Sequence, residues 1–186
     1  MNTGGTAVMR RSSVQRWALL VAFLPMALAA LAQQGVDNVM VHGTVKDYVT
    51  RLPLPGAEVV MYQDEVRVFQ ALTDSLGRYE TFLEFDHTYK LWYMQAGKVT
   101  KHVVVDTRGI PVPDRAGGYG MNVDITLFKN LPGLDLPIMA QPMGMASYSP
   151  ADSSLVWDLE HTERMRADIQ AGMQRYDSLR VLEEKR

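Results

Sequence analysis

The stretch LPGAEVVM at residues 54–61, followed by TDSLGRY at residues 73–79, decides the fold. In the first stretch a Pro-Gly turn opens a strand whose apolar residues alternate with polar ones. In the second, an Asp-x-x-Gly turn separates the end of one strand from the start of the next. Short alternating strands joined by such turns are typical of a small β-sandwich.

The same pattern extends on both sides of these stretches, without a helical period of useful length between them. The spacing of roughly ten residues between turn signals predicts an all-β fold, a seven-stranded antiparallel sandwich. The seven expected strands are residues 39–46, 57–62, 66–73, 78–85, 88–96, 99–106 and 122–128.

Residues 39–106 resemble the carboxypeptidase regulatory-like domain, a transthyretin-like (prealbumin-like) sandwich. The resemblance rests on VHGTV at 41–45, LPGAEV at 54–59, the 73–79 turn and YKL at 89–91. It implies that no side chain fits at Gly43 and that Gly77 takes a positive φ in its turn. It also implies a module without catalysis that serves attachment, folding or interaction, and it transfers no ligand site. Segments around 98–108 and 127–135 are similar to exported envelope proteins that carry this domain.

The first 32 residues read as a signal peptide, with basic residues before an uncharged apolar run and a small-x-small site at Ala30–Ala32. We expect cleavage after Ala32. The alternative is an uncleaved anchor, although the apolar run is somewhat short for the ~20 residues of a membrane span. A mature chain starting at Gln33 would carry no transmembrane span. Because the chain has no cysteine, a lipid-anchored form is excluded.

Composition excludes further classes of function. Three of the 19 Lys and Arg residues and none of the 21 Asp and Glu residues lie in the signal segment, which leaves a mildly acidic mature chain. Such a chain is a poor nucleic-acid binder, because phosphate contacts require clustered positive charge. Without cysteine there is no disulfide scaffold, so the fold must hold through core burial.

The predicted organisation is a signal peptide at 1–32, the sandwich at 33–129, a Pro-rich extended arm at 130–152 and an amphipathic helix at 153–186. The arm is interrupted by prolines yet too apolar to be a free linker. Its apolar residues, and the apolar stripe of the helix, either cover the sandwich or dock on another chain, and the sequence leaves both alternatives open. The candidate partner-binding residues are Leu134, Leu136, Ile138, Met139, Met165, Ile169, Met173 and Tyr176.

Trp92 is the candidate ligand-stacking residue. Alternation places Tyr89 and Tyr93 on one face of their strand and Trp92 on the other. There Trp92 packs in the core, stacks on a sugar ring or anchors a protein interface. No catalytic constellation is present: the four histidines are scattered without metal-ligand spacing, and no nucleophile or phosphate-loop motif occurs. The sequence therefore predicts no catalytic residue, no metal and no cofactor, and a protein that is not an enzyme.

These observations predict an exported cell-envelope protein without catalytic activity, acting as a structural or protein-interaction module. The alternative is a carbohydrate- or peptidoglycan-binding sandwich. The expected location is the periplasm, or the outer membrane or cell surface, and the expected partners are other envelope proteins. Association with the outer membrane or cell wall is compatible with the sequence, and binding to nucleic acid is not expected.

Overall fold

The structure, a computed structural model, describes residues 37–185. The predicted signal peptide lies outside these residues. The strands are β1 (Val39–Asp47), β2 (Glu58–Gln63), β3 (Val66–Leu72), β4 (Arg78–Leu83), β5 (Thr88–Met94), β6 (Lys101–Asp106), β7 (Tyr119–Asn122), β8 (Ile125–Leu127), β9 (Met145–Ser149) and β10 (Ser154–Trp157). Two 3-10 helices cover Val112–Arg115 and Pro137–Ala140, and the helix α1 covers Leu159–Glu184.

The strands form two sheets of a sandwich. One sheet has the order β4-β1-β7, with β8 also paired to β1, and the other has the order β10-β9-β6-β5-β2-β3. The prediction of a sandwich with a C-terminal helix is confirmed, whereas the prediction of seven antiparallel strands is wrong. Ten strands are present in the described chain, and β7 and β8 pair with β1 in parallel, as β9 does with β6.

The core lies between the sheets and is built from the alternating residues of the strands. Tyr89, Leu91 and Tyr93 share one face of β5, as the alternation predicted, and this face points inward and is almost completely buried. The hydroxyl of Tyr79 on β4 lies 2.7 Å from that of Tyr93 and donates to the Val123 carbonyl at 2.8 Å. A pair of buried hydroxyls thus joins the two sheets with its hydrogen bonds satisfied.

Between β7 and β8 the backbone of Val123 passes directly over Gly43 of β1. A Cβ atom added at Gly43 would lie 2.1 Å from the Val123 carbonyl oxygen, which confirms that no side chain fits there. The Val123 N–H donates to the His42 carbonyl at 2.8 Å. The Asp124 carboxylate then accepts from the backbone N–H and the hydroxyl of Thr44, each at 2.8 Å. A side chain therefore completes the pairing where the ladder is interrupted.

The turn before β4 has the geometry that its sequence predicts. Gly77 has a φ of +69°, and a Cβ there would lie 2.5 Å from the Val45 carbonyl oxygen. The Asp74 carboxylate accepts from the backbone N–H groups of Leu76 and Arg78, each at 2.8 Å. Glycine and aspartate are therefore both required for a tight turn against β1.

The C-terminal organisation differs from the prediction. Residues 145–157 form the hairpin β9–β10 inside the segment assigned to the arm and the start of the helix, and β9 adds this hairpin to the six-stranded sheet. The helix begins at Leu159, where the Asp158 carboxylate accepts from the His161 N–H at 2.8 Å. Pro150 lies in the hairpin turn, which a proline tolerates, so the prolines of this segment do not exclude strands.

An ion pair at the end of β1 is largely shielded from solvent. Lys98 Nζ lies 2.7 Å from Asp47 Oδ2, and the two side chains are 16% and 18% exposed. Burial alone would raise the pKa of Asp47, but the hydrogen bonds from Lys98 and from Thr50 outweigh burial and lower it to about 2. The pair connects β1 to the segment after β5.

Gly43→Ala should lower the free energy of unfolding by about 3 kcal/mol, because the new methyl group would push the Val123 backbone away. Urea denaturation followed by tryptophan fluorescence measures this change. Gly120→Ala is the matched control: an added Cβ there meets nothing within 4 Å, and the variant should equal the wild type or exceed it by up to about 1 kcal/mol. Equal stabilities of the Gly43 variant and the wild type would contradict the close approach.

Asp47→Asn should lower the free energy of unfolding by about 2 kcal/mol at pH 7. The folded carboxyl has a pKa of about 2 against the ordinary 3.8, so its contribution is complete above about pH 4 and declines as the pH falls toward 2. Urea denaturation at several pH values measures the difference. The exposed Asp135→Asn is the control and should change little, and an Asp47 effect independent of pH would contradict this assignment.

Candidate functional site

Most of the predicted partner-binding residues meet inside the protein. Met139 and Tyr176 form a second core with Phe128 and Leu131, separate from the sandwich core. Leu134, Leu136, Ile138 and Met173 pack against it, Met165 is buried, and Ile169 is half-buried. The sequence left open whether these residues pack on the chain itself or dock on another chain. In the structure they pack on the chain's own apolar residues.

Gly172 in the middle of α1 allows the arm to approach this helix. A Cβ there would lie 2.9 Å from Leu136 Cδ2. The sequence marks this glycine only as a weak point in a helix. The structure shows that it makes room for the side chain of the segment that crosses it.

Trp92 lies on the outward face of β5, as the alternation predicted, and is half-buried. Its ring stacks on the buried His102 of β6, with centroids 4.1 Å apart and an interplanar angle of 21°. Burial lowers the pKa of His102 below its ordinary value, with a smaller contribution from the positive charge of Lys90. One face of the tryptophan is therefore occupied by a side chain of the protein itself.

A groove runs along the outer face of the four-stranded sheet, and we call it the outer-face groove. It consists of two adjoining cavities of about 750 and 430 Å³ that share Met40. In the register of the sheet, His42 of β1 lies between Glu80 of β4 and Asn122 of β7. Met40, two residues away on the same face, lies between Phe82 and Gly120. The groove thus contains a polar row, formed by His42, Glu80 and Asn122, beside an apolar row, formed by Met40, Phe82 and Gly120.

Two of the carboxylates in the groove interact with neighbouring side chains. Arg78 binds Asp74 through Nε and Oδ2 at 2.9 Å. The hydrogen bond from the Thr44 hydroxyl holds the pKa of Asp124 below its ordinary value, with a contribution from the positive charge of Lys46, while partial burial acts in the opposite direction. The three side chains of the polar row have no hydrogen-bond partner among residues 37–185.

The second exposed surface is the side of the sandwich where β3 and β4 lie, which we call the open edge. Within the described chain, each is the outermost strand of its sheet. A cleft of about 380 Å³ separates them, lined by residues that include Met61, Phe69 and Glu84. The large apolar side chains exposed here are Val66 (64% exposed), Val68 (47%), Leu72 (65%) and Phe82 (50%).

Neither surface was predicted from the sequence. The outward positions of β1 were visible as the polar half of an alternating strand, but nothing local to β1 shows that β7 pairs with it across about eighty intervening residues. For the open edge, the exposed valines of β3 were a usable signal. Val66, Val68 and Leu72 are all exposed, and three exposed apolar residues on one strand are unusual for a solvated surface.

No group of three or more His, Cys, Asp or Glu side chains suited to a metal ion occurs in the part of the chain that the structure describes. None of the described helices is both long enough and apolar enough to cross a membrane.

No family model matches the chain, and no curated protein matches it. Among solved structures it is similar to the Bacillus anthracis TIE protein (20% identity, TM-score 0.39, 50% of this chain and 17% of that one). It is also similar to catechol 1,2-dioxygenase from an Acinetobacter species (15% identity, TM-score 0.38, 56% of this chain and 57% of that one). A third similar structure is the shaft pilin SpaA from Lactobacillus rhamnosus GG (10% identity, TM-score 0.38, 50% of this chain and 48% of that one). The chain spans less than two thirds of each of these proteins. The assignment to the carboxypeptidase regulatory-like family stays a prediction.

The prediction that the chain is not an enzyme is wrong as stated. It was drawn from the fold and from missing motifs, and the similar structures include several catechol and hydroxyquinol dioxygenases. A β-sandwich fold does not by itself exclude catalysis, because function is determined by sites rather than by folds.

Tyr176→Ala should lower the free energy of unfolding by about 3 kcal/mol, because it removes a buried ring from the second core. Tyr176 packs on Phe128 with ring centroids 4.8 Å apart. Thermal unfolding measures the effect, and Leu182→Ala on the same helix is the control, since Leu182 is 60% exposed. A Tyr176 variant as stable as the control would restore this residue as a candidate for docking.

Proposed function

We propose that the protein is a structural or interaction module of the cell envelope and that a partner protein binds at the open edge. The single observation that carries this proposal is the exposure of three apolar side chains, Val66, Val68 and Leu72, on the outermost strand β3. Exposed apolar residues on an edge strand are normally avoided, because such an edge pairs with other chains.

The backbone of β3 offers the means of binding. Its inner side pairs with β2, with a register shift near Met61 and Tyr62, and its outer side has no strand partner within residues 37–185. An extended segment of another chain can add to such an edge through main-chain hydrogen bonds, with side-chain pockets providing specificity. The cleft beside β3 supplies a pocket of this kind.

The charge of the cleft indicates which partner segment fits. Glu80 and Glu84 line it on the β4 side, and neither carboxylate takes part in an ion pair within the described chain. A partner strand that carries apolar residues at alternate positions and a lysine or arginine at its flank would complement both features. The partner we propose is therefore an apolar, basic strand of another envelope protein.

The placement in the envelope is supported by the N-terminal sequence. Residues 1–32 combine a basic start, an uncharged apolar run and a small-x-small site. In this proposal the apolar residues of the arm and of the helix pack in the second core. The proposed partner-binding site is therefore on β3 instead of on those residues.

A photoreactive amino acid incorporated at Leu72 tests the proposal in intact cells. We expect it to crosslink one defined envelope protein. We expect Val68→Asp to lower the adduct yield about tenfold, because the new carboxylate would lose its hydration in an apolar contact and would therefore disfavour pairing. Val112→Asp, at an exposed valine away from the edge, is the matched control. An adduct unaffected by Val68→Asp, or lowered equally by Val112→Asp, would contradict binding at the open edge.

A further inference from the structure

We propose that the outer-face groove binds a neutral oligosaccharide, a function separate from partner binding at the open edge. The two surfaces meet at Glu80 and Phe82, which line both. The rest of the groove is lined by residues of β1 and β7, by Asp124, and by the start of β4 with the turn before it. Its larger cavity, of about 750 Å³, falls in the size range of small-molecule sites.

The charge of the groove disfavours an anionic ligand, because its lining has two cations, Lys46 and Arg78, against the three carboxylates of Asp74, Glu80 and Asp124. Arg78 is paired with Asp74 at 2.9 Å, and Lys46 acts on the Asp124 carboxylate. Glu80 remains, directly opposite His42 in the register. No excess of positive charge is left for an anion, and the acidic residues do not form a cluster suited to a metal ion within the described chain. Binding to such a surface relies on hydrogen bonds rather than on net charge.

The polar row supplies those hydrogen bonds. His42, Glu80 and Asn122 lie side by side on three neighbouring strands, so their Cβ atoms are about 5 Å apart and the row is roughly 10 Å long. An imidazole, a carboxylate and an amide together offer both donors and acceptors. Their side chains bind no other group among residues 37–185. Hydroxyl groups, which both donate and accept, match such a mixed row.

The apolar row supplies a surface for the ring of a sugar. Phe82 is half exposed on one side of Met40, and on the other side Gly120 leaves a shelf where an added Cβ would meet nothing within 4 Å. The row lies two residues along the strands from the polar row, a distance of about 6.6 Å. A sugar presents a C–H face next to hydroxyl groups, so the two rows fit two parts of one ligand. A ligand without an apolar face would leave this half of the groove unused.

Titration of the protein as recovered from cells with four neutral probes tests the proposal: cellotetraose, chitotetraose, maltotetraose and mannotetraose. We expect at least one to bind with a Kd below about 1 mM, measured by calorimetry, and to shift the backbone NMR signals of Gly120 and Asn122. Gly120→Leu, which fills the shelf, and Asn122→Ala should each weaken binding about tenfold or more, without loss of stability.

Asn130→Ala is the matched control for the amide, because Asn130 is exposed outside the groove. Val68→Asp should leave sugar binding unchanged, which separates this site from the open edge. The proposal is overturned if none of the four probes binds at about 10 mM. It is also overturned if the two groove variants bind as the control does, or if the shifted signals cluster around Trp92 instead.

Discussion

The passage of the Val123 backbone over Gly43 is the constraint on which the rest of the structure depends. A carbonyl oxygen occupies the place of a side chain, 2.1 Å from where a Cβ would be. In that position the carbonyl accepts a hydrogen bond from the hydroxyl of Tyr79. This hydroxyl is also hydrogen-bonded to the hydroxyl of Tyr93 on the opposite sheet. One contact therefore links strand β1, the two residues between β7 and β8, and both layers of the sandwich. Because the groups are buried, a partial loss of this arrangement would leave polar atoms without partners.

The same passage shapes the outer surface. The chain leaves its ladder with β1 at Val123, and Asp124 returns to bind Thr44 with its side chain. Asn122 and Asp124 are thereby held beside β1, where they line the outer-face groove. The turn at residues 73–77 joins the edge strand of one sheet to the edge strand of the other. That turn leaves β3 and β4 next to each other at the open edge.

Sequence reasoning succeeded where the cause of a feature is local. The alternation of β5 predicted which residues share a face, and Gly43 and Gly77 occupy the restricted positions expected from their motif. It failed where the cause is distant in the chain. The parallel pairing of β7 with β1 brings His42 and Asn122 together, and no local pattern encodes that pairing. The apolar stripe of α1 was recognised, but the sequence could not show that the chain itself buries its central residues, Met165 and Tyr176.

Hydrogen exchange at the Val123 amide tests the central claim most directly. This N–H donates to the His42 carbonyl at 2.8 Å, at the point where the backbone passes over Gly43. If the passage holds the two sheets together, the amide should exchange only through global unfolding, with a protection free energy equal to that from urea denaturation. Exchange through a local opening several kcal/mol below the global value would show that the sandwich persists without this contact, and would contradict the account.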